Sequence, residues 1–333
     1  MGPAPYNEVS TSIHPFRLPD QCIDWSYDEH RDRWDKISIK IINIKKGKKD
    51  KGLDKQNKES EFEYLKNLID DNKKYQARLL DICEDLCRYK DKRCYKDNYL
   101  ELSFEHKIIN ASWIHLPFIN SFISTQWPLA NTFYDFLAMC FDYDINLIIM
   151  LCNSEENGKE KCMKYWEYPN EIQNGLYGCG YNLKDFWCEN YTEEKINDDI
   201  AIRTFIIKDQ TKGREKKVKQ IHYQNWFTKR ILDIENSYKN ILFLFNIVDY
   251  EIRNRPIVVH CDSGSGRTGT FIALYNLFFD IRNQIQDKNV GKITFSIMNL
   301  VRKMKEMRIK SVEKKEEYEY IYEYIRKLLK DRN

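Results

Sequence analysis

Residues 256–279 constrain this chain more than any other stretch. Pro256-Ile257-Val258-Val259 is short, apolar and β-branched, as a buried strand requires, whereas Thr270-Phe-Ile-Ala-Leu-Tyr-Asn-Leu-Phe-Phe279 has helical length and good helix formers. Between them runs His260-Cys261-Asp262-Ser263-Gly264-Ser265-Gly266-Arg267-Thr268-Gly269, a cysteine, five loop residues and an arginine at a strand-to-helix joint. Glycines let successive backbone N–H groups turn inward around an anion, and the following helix adds its partial positive N-terminus. Such a joint is built to hold a phosphate.

The helix N-terminus and Arg267 also favour the thiolate of Cys261, which makes it a nucleophile at neutral pH. Arg267 can grip two phosphoryl oxygens, Thr268 can hydrogen-bond the sulfur, and the N–H groups of Asp262, Ser263, Gly264, Ser265 and Gly266 can stabilise charge during transfer. A buried structural cysteine beside an ordinary glycine turn would leave the coincidence of nucleophile, arginine, threonine and glycines unexplained.

His-Cys-x5-Arg-Thr-Gly resembles the signature loop of the classical protein tyrosine phosphatases. Further blocks follow in the family's order over about residues 75–330. Asp97-Asn98-Tyr99 resembles the phosphotyrosine-recognition loop, which implies that Tyr99 stacks on the substrate ring and that Glu101 stands where an aspartate holds the peptide backbone. Ile109-Asn110-Ala111-Ser112 and Phe122 through Leu129 resemble the "INAS" and "IATQGPL" segments, and Glu156 through Cys162, leading to Tyr165-Trp166, resembles the E-loop. The fold implied is α/β, a highly twisted mixed sheet flanked by helices. The resemblance implies phosphotyrosine-containing proteins as partners, with no cofactor and no metal.

The chain also departs from that pattern. His222 through Thr228 aligns with the mobile loop that carries the family's Trp-Pro-Asp, and Thr228 stands where the aspartate protonates the leaving tyrosine oxygen. Threonine cannot act as a general acid, so the alignment implies loss of a contribution worth about 10²–10⁴ in rate. The nearest carboxylates, Asp209, Asp233 and Glu235, are out of register with it. Near the C-terminus, Val312-Glu313-Lys314-Lys315-Glu316-Glu317-Tyr318 resembles "VQTxxQY" with both glutamines changed to glutamate. Glu313 thus takes the place of the residue that orients the hydrolytic water, and near a phosphoryl dianion it implies like-charge repulsion. Asp262 replaces a serine, and its side chain is expected to point to solvent while its N–H serves the phosphate. Trp127 replaces a glycine, so that either the backbone differs there or the ring covers a surface the family leaves open. The link from Leu102 to Ile109 is shorter than the family's.

With 54 basic and 51 acidic residues in 333, the net charge of +3 argues against a dedicated nucleic-acid binder. No run of about 18 apolar residues suggests a membrane span. The ten cysteines match no common zinc spacing, Cys83, Cys87, Cys94, Cys179 and Cys188 included, and without a signal-like N-terminal stretch the chain reads as cytoplasmic and reduced. Residues 1–59 contain no family block and end in a Lys-rich linker, leaving 60–333 as the phosphatase-like domain. Apolar spacing predicts one or two helices within 60–89 and final helices near 295–305 and 316–330.

Abundant Tyr, Asn, Lys and Ile, scarce Gly and eroded motifs on a short catalytic domain resemble the tyrosine phosphatase-like families of bracoviruses. That resemblance implies interference with host immune-cell signalling in the host cytoplasm. Two readings stay open: a phosphatase impaired by loss of its acid, and a pseudophosphatase that binds phosphotyrosine peptides and shields them. A dual-specificity phosphatase is disfavoured, because Tyr99 and the E-loop imply a deep, tyrosine-sized cleft.

Overall fold

The structure is a computed structural model. Its described residues are 61–331 except 83, 104–106, 117–121, 154, 157–158, 161–163, 167–185, 211, 227–231, 252–254, 287–292 and 294. The expected N-terminal extension and linker therefore lie outside the described residues.

Among the described residues there are ten strands: β1 Tyr99–Glu101, β2 Ile108–Ile114, β3 Phe122–Gln126, β4 Leu147–Met150, β5 Glu155–Glu156, β6 Lys159–Glu160, β7 Phe186–Lys195, β8 Ile200–Asp209, β9 Arg214–Tyr223 and β10 Ile257–Cys261. The main sheet has the order β1-β2-β3-β10-β4-β9-β8-β7, while β5 and β6 form a separate hairpin. The centre is parallel, with β10 between β3 and β4 and β4 beside β9; the two flanks are antiparallel. Composition explains that division. Every residue of β4 and β10 is buried, as strands covered on both faces must be, whereas β8 alternates buried and half-buried positions.

Helices α1 Lys73–Gln76, α2 Phe133–Asp142, α3 Ile234–Glu251, α4 Gly266–Gln286, α5 Ile297–Met307 and α6 Lys315–Lys330 accompany the sheet. The fold is the mixed α/β sheet with flanking helices that the motifs implied. Helix α4 is buried continuously from Gly266 to Phe278 and so forms the spine behind the signature loop. Along α6 the tyrosines face inward, and their hydroxyls keep polar partners. Tyr318 and Tyr322 donate to Glu61 Oε2, and Tyr320 lies 2.7 Å from Ser237 Oγ.

Within 61–89 two helical segments are present, 61–70 and Lys73–Gln76, as the spacing predicts, but the helix does not extend over 79–86. Residues 61–65 are helical and continue into a π-turn at Lys66–Asp70, but Leu79 instead bridges Tyr95. Leu80 N–H donates to Cys94 O, and only a short turn, Glu84–Leu86, follows. Leu79 and Ile82 are buried in two separate small clusters, so their spacing reflects irregular burial and not one helical face.

Candidate active site

Strand β10 ends at Cys261, and four residues, Asp262 to Ser265, turn the chain into the first residue of α4. Gly264 has φ +68°, and a Cβ there would sit 2.2 Å from Thr125 O in β3. Only glycine combines that backbone with that approach. The loop is held from outside by its carbonyls. Trp127 N–H donates to Asp262 O at 3.2 Å, and Ser124 Oγ donates to Gly264 O at 2.8 Å. Arg308, fully buried, donates to Ser263 O at 3.2 Å and Gly264 O at 3.3 Å, and anchors itself on Asn110 Oδ1 at 2.8 Å and Ser112 Oγ at 3.3 Å. With those carbonyls taken, the amide N–H groups are what the loop can offer an anion.

Cys261 is buried, with Sγ 4.0 Å from Ser263 Oγ. Arg267, also buried, donates from Nη1 to Trp226 O at 2.9 Å. Thr268 Oγ1 and Ser265 Oγ are buried without a hydrogen-bond partner among the described residues, so the expected Thr268 contact to sulfur is not made. His260 lies next to Cys261, 2.9 Å from the Tyr165 hydroxyl and in ring contact with Trp127 and Phe136. Burial lowers its pKa to about 3, so the imidazole is neutral.

Asp262 does not point to solvent. Its Oδ1 accepts from Ser263 N–H at 2.8 Å and stands 2.9 Å from Arg267 Nη2, and Tyr89 OH donates to Oδ2 at 3.3 Å. Burial opposes ionisation, but the charge and hydrogen bond of Arg267 with the Ser263 amide outweigh it and hold the carboxyl below its usual range. A guanidinium within reach attracts the carboxylate more strongly than water does at this depth.

Tyr99 is not at the cradle. It opens β1, pairs with Ser112, is half-buried and packs on the cluster of Ile82, Cys87 and Cys94. Glu101 is exposed, its backbone N–H and carbonyl both bonded to the Tyr143 hydroxyl. Asn98, the middle of the supposed recognition loop, ties Trp113 O and Met307 O together. The tyrosine that reaches the signature loop is Tyr89, with its hydroxyl on Asp262, its ring partly exposed and Lys92 Nζ 4.7 Å from the ring centroid. Asp91 follows two residues later and pairs with Lys310. A signal was present: Tyr89-Lys90-Asp91 carries the tyrosine and aspartate without the Asp-to-Glu change that Tyr99 and Glu101 require. Starting the loop there also removes the anomalously short link to Ile109.

Glu313 lies just before α6, and its carboxylate pairs with Lys92 at 2.8 Å, both side chains partly buried. The expected repulsion is therefore offset by a cation that sequence spacing did not reveal. Glu317 accepts from Lys314 N–H at 3.1 Å and sits against Gly266, where a Cβ would come 2.6 Å from its Oε1. Burial raises its pKa. Trp127 is wholly buried among Tyr165, Trp166 and His260, and positive φ among described non-glycine residues is confined to Asp144, Lys310 and Val312. Its ring fills core and covers no outer surface. Thr228 and Phe227 lie outside the described residues, as do much of the E-loop segment and Cys83 and Cys179; Glu155–Glu156 and Lys159–Glu160 form its hairpin. Among the described residues no cluster of His, Cys, Asp and Glu is arranged to hold a metal, and no helix is long and apolar enough to cross a membrane.

The protein-tyrosine phosphatase family model matches residues 84–327. Human tyrosine-protein phosphatase non-receptor type 12 is 30% identical over 254 residues, covering 72% of this chain and 30% of that protein. Tyrosine-protein phosphatase 2 of Dictyostelium discoideum is 30% identical over 214 residues, 64% of this chain and 53% of the relative. The chain thus spans about half or less of the length of these relatives. A PTPN18 structure from work on its fingerprint on distinct HER2 tyrosine phosphorylation sites superposes with a TM-score of 0.67 at 25% identity, covering 81% of this chain and 94% of that one. By sequence and fold together, the chain belongs to the protein-tyrosine phosphatase family.

Proposed function

We propose that this chain binds phosphotyrosine proteins at the 261–267 cradle and hydrolyses them slowly. The observation that carries the reading is the convergence of Cys261, Arg267 and Tyr89 at one loop, with the loop carbonyls tied back by Arg308, Ser124 and Trp127. In the first step Cys261 Sγ forms a bond to phosphorus as the phosphorus–oxygen bond to tyrosine breaks. Arg267 and the loop amides hold the equatorial oxygens. The departing phenolate needs a proton, and Thr228 has none to give at neutral pH. Water then displaces the cysteine, releasing inorganic phosphate and regenerating the thiolate. Tyr89 takes the ring-stacking role and Asp91 the peptide-holding role that sequence had given to Tyr99 and Glu101. PTPN18 has been crystallised with HER2 phosphopeptides, and this chain is proposed to take ligands of that class.

The test compares an aryl phosphate bearing a good leaving group with a phosphotyrosine peptide. A good leaving group needs little protonation, so the activated ester turns over while the peptide barely does, and Thr228→Asp improves the peptide by on the order of tenfold or more. Equal, fast turnover of both by the unmutated protein refutes this reading. The pseudophosphatase reading rests on Thr228 and Glu313, which stand at the two proton-handling positions while Cys261 and Arg267 are kept. Stable capture of phosphopeptide without phosphate release distinguishes it. The wider role read from the bracovirus resemblance is interference with tyrosine-phosphate signalling in the cytoplasm of host immune cells. Expression in insect haemocytes should lower or mask phosphotyrosine and reduce phagocytosis, and unchanged phosphotyrosine and phagocytosis would argue against that role.

A further inference from the structure

Asp262 occupies donors that a phosphoryl group would use. One carboxylate oxygen accepts from the Ser263 N–H and is ion-paired with the Arg267 guanidinium at 2.9 Å, and the other is held by Tyr89. A carboxylate tethered in place satisfies a guanidinium and an amide without the entropy loss that a free anion incurs. We propose that Asp262 is an intramolecular competitor for the anion site, whose carboxylate must release Arg267 and the Ser263 amide before a phosphoryl group binds. This rests on the reading of the 261–267 loop as an anion site and adds to it a residue that sets which ligands enter.

Two consequences follow for ligand class. A single carboxylate from an acidic peptide offers the cradle nothing that Asp262 does not already supply. A tetrahedral dianion does, because its several oxygens reach amides that one carboxylate cannot serve together. The cradle is thereby biased toward phosphoryl and sulfuryl groups and against acidic side chains.

Release also has a proton signature. Among the described residues, the groups facing Asp262 are Arg267 on α4, Tyr89 and Lys92 on the segment before β1, and His260 on β10. His260 stays neutral above about pH 5, since burial lowers its pKa to about 3. Once a dianion takes Arg267, Asp262 loses its main cationic partner and gains a like charge, so its carboxyl binds a proton more readily than in the free protein. Binding is then coupled to proton uptake, and affinity rises as pH falls.

Sulfate is the probe, because its charge is constant from pH 5 to 8, and Cys261→Ser is the background, because it removes the reactive sulfur from the cradle. Titration calorimetry in two buffers of different ionisation enthalpy reads affinity and proton uptake together. Adding Asp262→Ser, or Asp262→Asn if the first does not fold, should tighten sulfate binding on the order of 10- to 100-fold, the worth of a lost hydrogen bond to a charged group. It should also abolish the uptake and flatten the pH profile. Equal affinity and equal proton uptake with and without Asp262 would overturn the proposal while leaving the anion site intact. Absence of sulfate binding in every variant, each shown folded by its thermal transition, would overturn the anion-site reading itself and this proposal with it.

Discussion

Arg308→Met tests whether the cradle is held from behind. Methionine has a similar reach and no charge, so the cavity stays nearly filled while the donors vanish. The guanidinium is fully buried and serves four acceptors. Gly264 O would keep its bond from Ser124 Oγ, and Ser112 Oγ is a hydroxyl that can turn to another partner. Ser263 O and Asn110 Oδ1 would lose their Arg308 donor, at about 1–3 kcal/mol each. Against this stands relief from burying the charge, which here is large enough to lower the arginine's own pKa. The net expectation is a loss of about 3 kcal/mol, or roughly 6–12 °C in Tm for a domain of this size. Urea unfolding gives the stability and sulfate titration the site. Freed of Arg308, the Ser263 peptide plane can rotate and turn its carbonyl toward the anion, so affinity should fall by about tenfold or more. A variant less than about 1 kcal/mol weaker that binds sulfate as tightly as the parent refutes the bracing argument.

Tyr89→Ala should cut kcat/KM for an activated aryl phosphate about tenfold through lost ring stacking, whereas Tyr99→Ala should leave KM unchanged and lower stability; the opposite pattern would place the stacking ring at Tyr99. His260 and His222 both have pKa values lowered to about 3, chiefly by burial, so their ring NMR signals should not titrate between pH 5 and 8. Because the unfolded chain takes up those protons from about pH 6.5 downward, the stability tied to each neutral ring is complete above that pH and is lost as pH falls toward about 3. At pH 5 the loss is about 2 kcal/mol per histidine, and a urea midpoint that does not move between pH 7 and pH 5 would contradict it.

Much of the framework was legible because its signals are local. The run at 256–259 is a β-branched strand followed by a glycine joint and a long apolar helix, and β10, the loop and α4 sit there. Helix spacing at 316–330 likewise matched α6, whose inward face is tyrosine-rich. What was misread depends on contacts distant in sequence. Tyr89 and Tyr99 lie ten residues apart, each followed two positions later by an acid, and in sequence only the aspartate at 91 and the longer link to Ile109 set the first apart. Burial separates them: β1 commits Tyr99 to a small apolar cluster, and Tyr89 is left at the loop. The apolar residues of 79–86 mimic a helical face because they fill two clusters in turn. Arg308 gave no sequence signal, since its role depends on strand β2 arriving beside the loop.

Charge is the property least legible in the sequence, because the fold decides which cation faces each carboxylate. Taken singly, Asp262 at about 6 Å from a phosphoryl charge implies roughly 3 kcal/mol of repulsion at an effective dielectric near 20, and Glu313 adds to it. The fold supplies a cation for each: Asp262 faces Arg267 at 2.9 Å and Glu313 faces Lys92 at 2.8 Å. These four charges sum to zero, so attraction of a phosphotyrosine peptide rests on oriented amides and the α4 N-terminus more than on net charge. Such short-range, partly buried interactions are screened little by salt. In the Cys261→Ser background, peptide affinity should therefore change little between about 50 and 200 mM salt. Replacing both carboxylates, Asp262→Ser with Glu313→Gln, exposes two uncompensated cations and should make binding tighter at low salt and distinctly more salt-sensitive. If the parent already loses affinity as steeply as the double variant, the two ion pairs do not neutralise the site and affinity here is governed by net charge after all.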